Sequence, residues 1–353
     1  MPSAPKPREA VERMAPYNPP LEGRREKLRL DFNENVEGCS PAVLRVLRDT
    51  ATRGFISTYP EYSKARRRLG THLGVGEDQV IMGAGTDEVI SAVMHAYVDP
   101  GDEVVIPDPS FSMLAFYTQL VGGIPRLVPY RGRDFAFPAR EIIRAVGPRT
   151  RAICIATPNN PTGGVLSLHQ AERILEAADG CAVLFDEAYF DFHGESMLGL
   201  LPRFPNLFVA RTFSKAYGMA GLRIGVLASR AENIAIVQKG QSPYGVNSLA
   251  VRCAMAAIED EAYVRNYVRE ALQAREILCR TLDELGIRYW PSRGNFVLFE
   301  LGEGSRQICS ELSASGILIR DQSSRIPGAA RVTVGPLKHA VRFLTALREV
   351  TGR

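Results

Sequence analysis

Leu207-Phe-Val-Ala-Arg-Thr-Phe-Ser-Lys-Ala-Tyr-Gly-Met-Ala-Gly-Leu-Arg-Ile-Gly-Val-Leu-Ala228 contains two short apolar runs, Leu207–Ala210 and Ile224–Ala228, separated by a polar turn carrying Ser214, Lys215 and Arg223. A run of about four to eight apolar residues bounded by turn signals reads as a fully buried strand. The same pattern repeats upstream. Ala182-Val-Leu-Phe185 leads into Asp186-Glu-Ala-Tyr189, and Arg151-Ala-Ile-Cys-Ile-Ala156 leads into Asn159-Asn-Pro-Thr-Gly163. Gln79–Met82 and Asp102–Ile106 are further strands, and Thr86–Tyr97 between them is apolar at helical spacing until Pro100-Gly101 stops it. Alternating strands and helices predict an α/β fold with a mainly parallel sheet flanked by helices on both faces. In such sheets ligands bind beyond the carboxyl ends of the strands, where Asn160, Asp186 and Lys215 all fall.

The texture changes after about residue 245. Leu249–Leu285 reads as largely helical, followed by short strands at Phe296–Glu300, Gly316–Arg320 and Ala330–Val334 and a final helix from about His339. At 353 residues the chain exceeds the size at which single cores stop growing. The expected organisation is therefore an N-terminal arm with part of a small domain (1–40), a large domain (41–250) and a smaller α+β domain (251–353).

Composition excludes several classes. No apolar run is long enough to cross a bilayer, and Met1-Pro-Ser-Ala-Pro-Lys-Pro-Arg8 has no apolar stretch behind it, so no secretory signal is expected. The net charge is +4, and its densest basic run, Arg66-Arg67-Arg68, lacks the aromatic-rich basic stripe of a nucleic-acid patch. None of the six cysteines forms a C-x-x-C pair, as expected for reduced packing thiols in a cytoplasmic protein. The five histidines show no ligand spacing, so no metal site is expected.

A lysine preceded in chain order by an asparagine, an aspartate and a tyrosine, and followed by an arginine, is a set suited to pyridoxal phosphate. The lysine forms a Schiff base with the aldehyde, the aspartate pairs with the pyridinium nitrogen, and hydroxyl and arginine groups grip the phosphate. Gly85-Thr86-Asp87 opens a helix directly after a strand, so its backbone N–H groups can meet an anion.

Asp31-Phe-Asn-Glu-Asn35, Gly83-Ala-Gly-Thr-Asp-Glu88, Asn159–Gly163, Asp186–Tyr189, Ser214-Lys215, Gly221–Gly225, Gly316–Asp321 and Arg331–Gly335 follow one another over nearly the whole chain. In these stretches the chain resembles the class I/II aminotransferases, and among them the histidinol-phosphate aminotransferases. The resemblance implies a fold-type I pyridoxal-phosphate enzyme with Lys215, Asp186 and Tyr189 as catalytic residues. It places Asn160 and Tyr189 on the ring's O3′ and Phe111 on the ring face. It places Gly85, Thr86, Asp87 (through its backbone), Ser214 and Arg223 around the phosphate. Tyr59 would reach the neighbouring subunit's phosphate site, making a homodimer with shared active sites. Tyr17, Asn35, Arg320 and Arg331 would hold the substrate. Two departures lie on the substrate face: Phe111, where tyrosine is common in that group, and Val36–Cys39, where prolines are common.

The implied activity is transamination between histidinol phosphate and 2-oxoglutarate. An aromatic or broad-specificity aminotransferase and a threonine-phosphate decarboxylase share the same scaffold and stay open at this point. The implied partners are a small amino donor and a keto-acid acceptor.

Overall fold

The computed structural model describes residues 4–17 and 19–352. β1 (Leu28–Leu30) precedes seven strands: β2 (Val80–Gly83), β3 (Glu103–Asp108), β4 (Ile124–Pro129), β5 (Thr150–Ala156), β6 (Ala182–Asp186), β7 (Leu207–Thr212) and β8 (Gly225–Ala228). Four more follow: β9 (Tyr289–Trp290), β10 (Phe296–Glu300), β11 (Ile317–Asp321) and β12 (Ala329–Thr333).

Strands β2 to β8 form one sheet in the order β2-β8-β7-β6-β5-β3-β4. It is parallel except for β8, which runs antiparallel to both β2 and β7. The central strands are apolar throughout because both faces are covered. Ile153, Ile155, Val183, Phe185, Leu207 and Val209 face one helical layer, while Cys154, Leu184, Phe208 and Ala210 face the other. Side chains alternate along a strand, so one continuous apolar run supplies two cores.

The second sheet has the order β1-β11-β12-β10-β9. Only one of its faces is a conventional core. Val297, Phe299, Ile317, Ile319, Ala330 and Val332 pack against the helices Glu261–Glu284 and Leu337–Thr351. The alternate positions, including Phe296, Arg320 and Arg331, turn the other way, and Phe296 packs with Tyr189. Arg320 and Arg331 stand directly opposite each other in the antiparallel β11–β12 pair, so they share a face.

Three strands, β1, β4 and the two-residue β9, escape the sequence reading. β4 carries prolines at Pro125 and Pro129 and lies at the sheet edge, where such residues are tolerated. β1 is only three residues long and gains its partner, β11, from the far end of the chain. The helical stretch expected over Leu249–Leu285 is two helices, Ser248–Glu259 and Glu261–Glu284, because Asp260 leaves helical geometry between them. Among the described residues, no helix is long and apolar enough to cross a membrane.

Candidate active site

A cavity of about 550 Å³ lies between the carboxyl ends of β5, β6 and β7 and the polar face of the second sheet. Asp186, the last residue of β6, is buried, and one of its oxygens accepts from the Ala188 N–H at 3.1 Å. Among the described residues, no cation pairs with it directly. Burial pushes its carboxyl up to about 7, against the opposing effect of the Ala188 hydrogen bond. Lys215 emerges just past β7 and donates to the Phe32 carbonyl at 2.8 Å. Burial, then the charge of Arg331, lowers its ammonium to about 8, within reach of the neutral amine that a nucleophile or proton carrier needs.

Tyr189 closes one side. Its hydroxyl accepts from Asn33 Nδ2 at 2.9 Å, and Asn33 is in turn fixed by Thr333. Burial raises its phenol above the ordinary value despite Arg331 and Asn33. Asn160 lines the cavity, and its side-chain oxygen accepts from Arg331. Its neighbour Asn159 does not line the cavity. It accepts from Ser110 at 2.7 Å and donates to Pro109 and Thr162, pinning the loop that presents Asn160. Phe111 lines the cavity as the residue preceding the helix Ser112–Leu120.

At the other end, the helix Thr86–Tyr97 begins at the cavity wall, with Thr86, Asp87, Ser214 and Arg223 around it. Gly85 has φ +83°, and a Cβ there would lie 2.5 Å from an Arg223 terminal nitrogen. Gly225 is equally constrained, since its Cβ would meet the Thr86 N–H nitrogen at 2.5 Å. Two glycines thus let backbone and guanidinium converge. Asp87 enters this end through its carboxylate, and not only through its backbone as expected. Its Oδ2 pairs with Arg223 at 3.2 Å, while Oδ1 is buried without a partner. A carboxylate there fixes the guanidinium that an anion would meet.

On the opposite wall Arg331 is buried to 5% exposure, donates to Asn160 and to the Asp31 carbonyl, and keeps an Nε without a partner. Arg320 lies with its guanidinium carbon 5.6 Å from the Phe32 ring centre. Tyr17 lines the mouth and is half exposed.

Two expected residues lie elsewhere. Asn35 does not line the cavity. Its amide donates to the Ala216 carbonyl at 3.0 Å and its oxygen accepts from the Glu37 and Gly38 N–H groups, so it braces the backbone behind Lys215. Tyr59 is 73% exposed, stacks on Tyr244 at 4.5 Å and is not part of this chain's cavity. Sequence reasoning missed Asn33, Arg24, Glu34 and Arg325. Three flank β1 or the loop after it, and the fourth sits in the loop before β12, positions that acquire meaning only when β1 pairs with β11. Among the described residues, no group of three His, Cys, Asp or Glu is placed to hold a metal ion.

A parallel sheet whose strand ends present a buried lone carboxylate, a lysine of lowered pKa and a glycine-bounded anion cup is the architecture of a pyridoxal-phosphate-dependent aminotransferase. The family model for aminotransferase class I and II matches residues 25–347, and the chain belongs to that family. It is 35% identical to the histidinol-phosphate aminotransferase of Symbiobacterium thermophilum, with 98% of each chain covered. It is 32% identical to that of Moorella thermoacetica, over 99% of this chain and 94% of the relative. The solved histidinol-phosphate aminotransferase of Sinorhizobium meliloti, in complex with pyridoxal-5'-phosphate, superposes with a TM-score of 0.90 at 25% identity, covering 99% of this chain and 98% of that one.

Proposed function

We propose that this chain transfers the amino group of histidinol phosphate to 2-oxoglutarate, a step of histidine biosynthesis, with pyridoxal 5'-phosphate as cofactor. One observation carries the substrate reading. Five arginines line the cavity: Arg24, Arg223, Arg320, Arg325 and Arg331. Arg24 pairs with Asp31 and Glu34, Arg223 with Asp87, and Arg325 with Asp108. Among the described residues, Arg320 and Arg331 have no carboxylate partner. Buried guanidinium charge without a counter-ion is costly, and a planar fork of donors suits a phosphate or carboxylate. Histidinol phosphate and glutamate each bring such an anion, in turn.

The cofactor reading rests on the fit of the residues. Asp186 would hold the ring nitrogen, whose positive charge is the counter-ion this buried carboxylate lacks. Thr86, Ser214, Arg223 and the backbone at Gly85 to Asp87 would hold the phosphate, Asn160 and Tyr189 the ring hydroxyl, and Phe111 the ring face. When bound, the cofactor supplies an aldehyde for attachment and an electron sink for the carbon that loses its proton. Lys215 would provide the attachment point and afterwards carry that proton, and its pKa, lowered to about 8 by burial, eases loss of the ammonium proton. Arg320 and Arg331 would hold the substrate anion, with Asn160 accepting from Arg331, and Asn33 orients the Tyr189 hydroxyl.

The reading includes a homodimer, in which the exposed Tyr59 completes the partner's phosphate site. Its being turned away from its own cavity supports this. Mixing Lys215→Ala with Tyr59→Ala subunits should restore activity in heterodimers, and a fully active monomer by light scattering would exclude it. The reading also includes a cytoplasmic enzyme, supported by six free cysteines. The deciding experiment is kcat/KM for histidinol phosphate, histidinol and phenylalanine with 2-oxoglutarate. Preference for the first supports the proposal. Equal or better use of phenylalanine points to an aromatic aminotransferase, and carbon dioxide release from threonine phosphate to the lyase.

A further inference from the structure

Both substrates of the proposed reaction have a second end that Arg320 and Arg331 do not explain. Histidinol phosphate ends in an imidazole, whose N–H asks for an acceptor. Glutamate ends in a second carboxylate, which asks for a donor. One subsite must satisfy opposite demands in alternate half-reactions.

Four carboxylates line the cavity. Asp87 and Asp186 belong to the cofactor end. Asp321 accepts from the Ser323 N–H and hydroxyl and from Ser305, and lies 3.5 Å from Arg306, so its lone pairs are spent. Glu34 is left. Its Oε2 takes Arg24 at 2.8 Å and Arg29 at 3.3 Å, whereas Oε1 has only a long contact, 3.4 Å, to Arg24 Nη1. On the other partner, Arg24 spends Nε and Nη2 on Asp31 at 3.0 and 2.7 Å, and Nη2 also on Glu34. Among the described residues, its Nη1 has only that same loose contact. The pair is therefore tightly fixed at one edge and under-used at the edge where Oε1 meets Nη1.

Its position is set by Phe32. The Arg24 guanidinium carbon lies 4.1 Å from the Phe32 ring centre, Arg320 approaches the same ring at 5.6 Å, and the Phe32 carbonyl accepts from Lys215. A substrate whose reacting carbon is at Lys215 and whose anion meets Arg320 and Arg331 has the Arg24–Glu34 edge on the same wall.

We propose that Arg24 and Glu34 are a two-sided specificity pair: Glu34 Oε1 accepts the imidazole N–H of one substrate, and Arg24 Nη1 donates to the second carboxylate of the other. The loose contact opens for either ligand while Asp31 and Arg29 hold the rest of the pair. Burial alone would raise the Glu34 carboxyl, but the hydrogen bond and charge of Arg24, with Arg29, bring it below its ordinary value, so it is an acceptor throughout the neutral range. The assignment rests on the substrate reading above.

The test uses holoenzyme and two unreactive probes, imidazolylpropyl phosphate and glutarate, with propyl phosphate as reference, titrated by cofactor absorbance or calorimetry. E34A should weaken the imidazole probe by about tenfold and leave glutarate little changed, as expected for loss of one charge-assisted hydrogen bond. R24A should do the reverse. E34Q and R24K, which keep the shape of the wall, should recover part of each loss and serve if the alanine variants fold poorly. If either variant weakens both probes alike, the pair only braces the wall and the proposal is overturned, while the substrate reading stands. If wild-type enzyme binds imidazolylpropyl phosphate no better than propyl phosphate, the substrate reading fails and the proposal with it.

Discussion

The two walls of the cavity hold charge in opposite ways. The seven-stranded sheet presents a lone anion, Asp186, beside a cation already balanced, Arg223 with Asp87. The five-stranded sheet presents two cations, Arg320 and Arg331, with no carboxylate partner among the described residues, next to a cation balanced twice over, Arg24. Each wall is satisfied except at the point where a bound molecule is needed. The missing partner of the first wall is a ring cation and that of the second a substrate anion. Lys215 sits between them, and the nearby cationic charge of Arg331 helps lower its pKa. Unmet electrostatic demand, more than the number of polar residues, separates a binding wall from a structural one.

The comparison can be broken in order of expected effect. Lys215→Ala removes the group between the walls. Turnover should fall by at least about three powers of ten with the fold kept, and the absorbance of lysine-bound cofactor should vanish. Borohydride labelling of another lysine would show the assignment to be wrong. Arg331→Ala removes the more buried cation of the substrate wall and leaves Asn160 without its donor. A loss of about two powers of ten in kcat/KM is expected in both half-reactions, measured separately by stopped-flow absorbance.

Arg320→Ala tests whether the second cation discriminates. Its loss should cost about one power of ten for histidinol phosphate and less for histidinol, so the ratio of the two kcat/KM values narrows. An unchanged ratio would mean that Arg320 reads something other than the phosphate. Gly85→Ala tests the cofactor wall. A side chain at φ +83° is strained, and its Cβ would displace Arg223. Cofactor affinity should weaken by about tenfold, read as the dissociation constant in apoenzyme titrations.

The smallest effect is a pH dependence of the apoprotein. Asp186 is raised to about 7 in the folded chain against an ordinary value of 3.8, so the folded state holds its proton more tightly. The stability this gives is fully present below the unfolded value and is lost as pH rises through about 7. Asp186→Asn cannot ionise. The Tm of the apo variant relative to apo wild type should therefore be higher at pH 8 than at pH 5, and bound cofactor, supplying the counter-charge to wild type, should remove that advantage. A pH-independent difference would place Asp186 in a more solvated setting than its burial indicates.

Much of the first wall was legible in the sequence because it is local. An apolar run that ends in Asp186 or in Ser214-Lys215 already says that the polar group stands at the edge of a core. The Gly85-Thr86-Asp87 turn announces a helix N-terminus directly after a strand. Resemblance added the chemistry these positions carry. The second wall was legible only in part. Arg320 and Arg331 could be read because each interrupts an apolar strand, but Asn35, expected to hold substrate with them, braces the backbone behind Lys215.

By itself the sequence determined the alternation of strands and helices, the two-sided burial of the central sheet and the order of the groups along the strand ends, since these depend on side-chain period and neighbouring residues. Only the tertiary structure decided which charges are balanced. Arg24 finds Asp31 and Glu34 across the short strand β1. Arg223 finds Asp87 across 136 positions. Arg331 reaches Asn160 from 171 positions away. The Arg223 pairing depends on β8 lying beside β2 in the first sheet, and the Arg331 contact on the packing of one sheet against the other, neither of which a local pattern encodes.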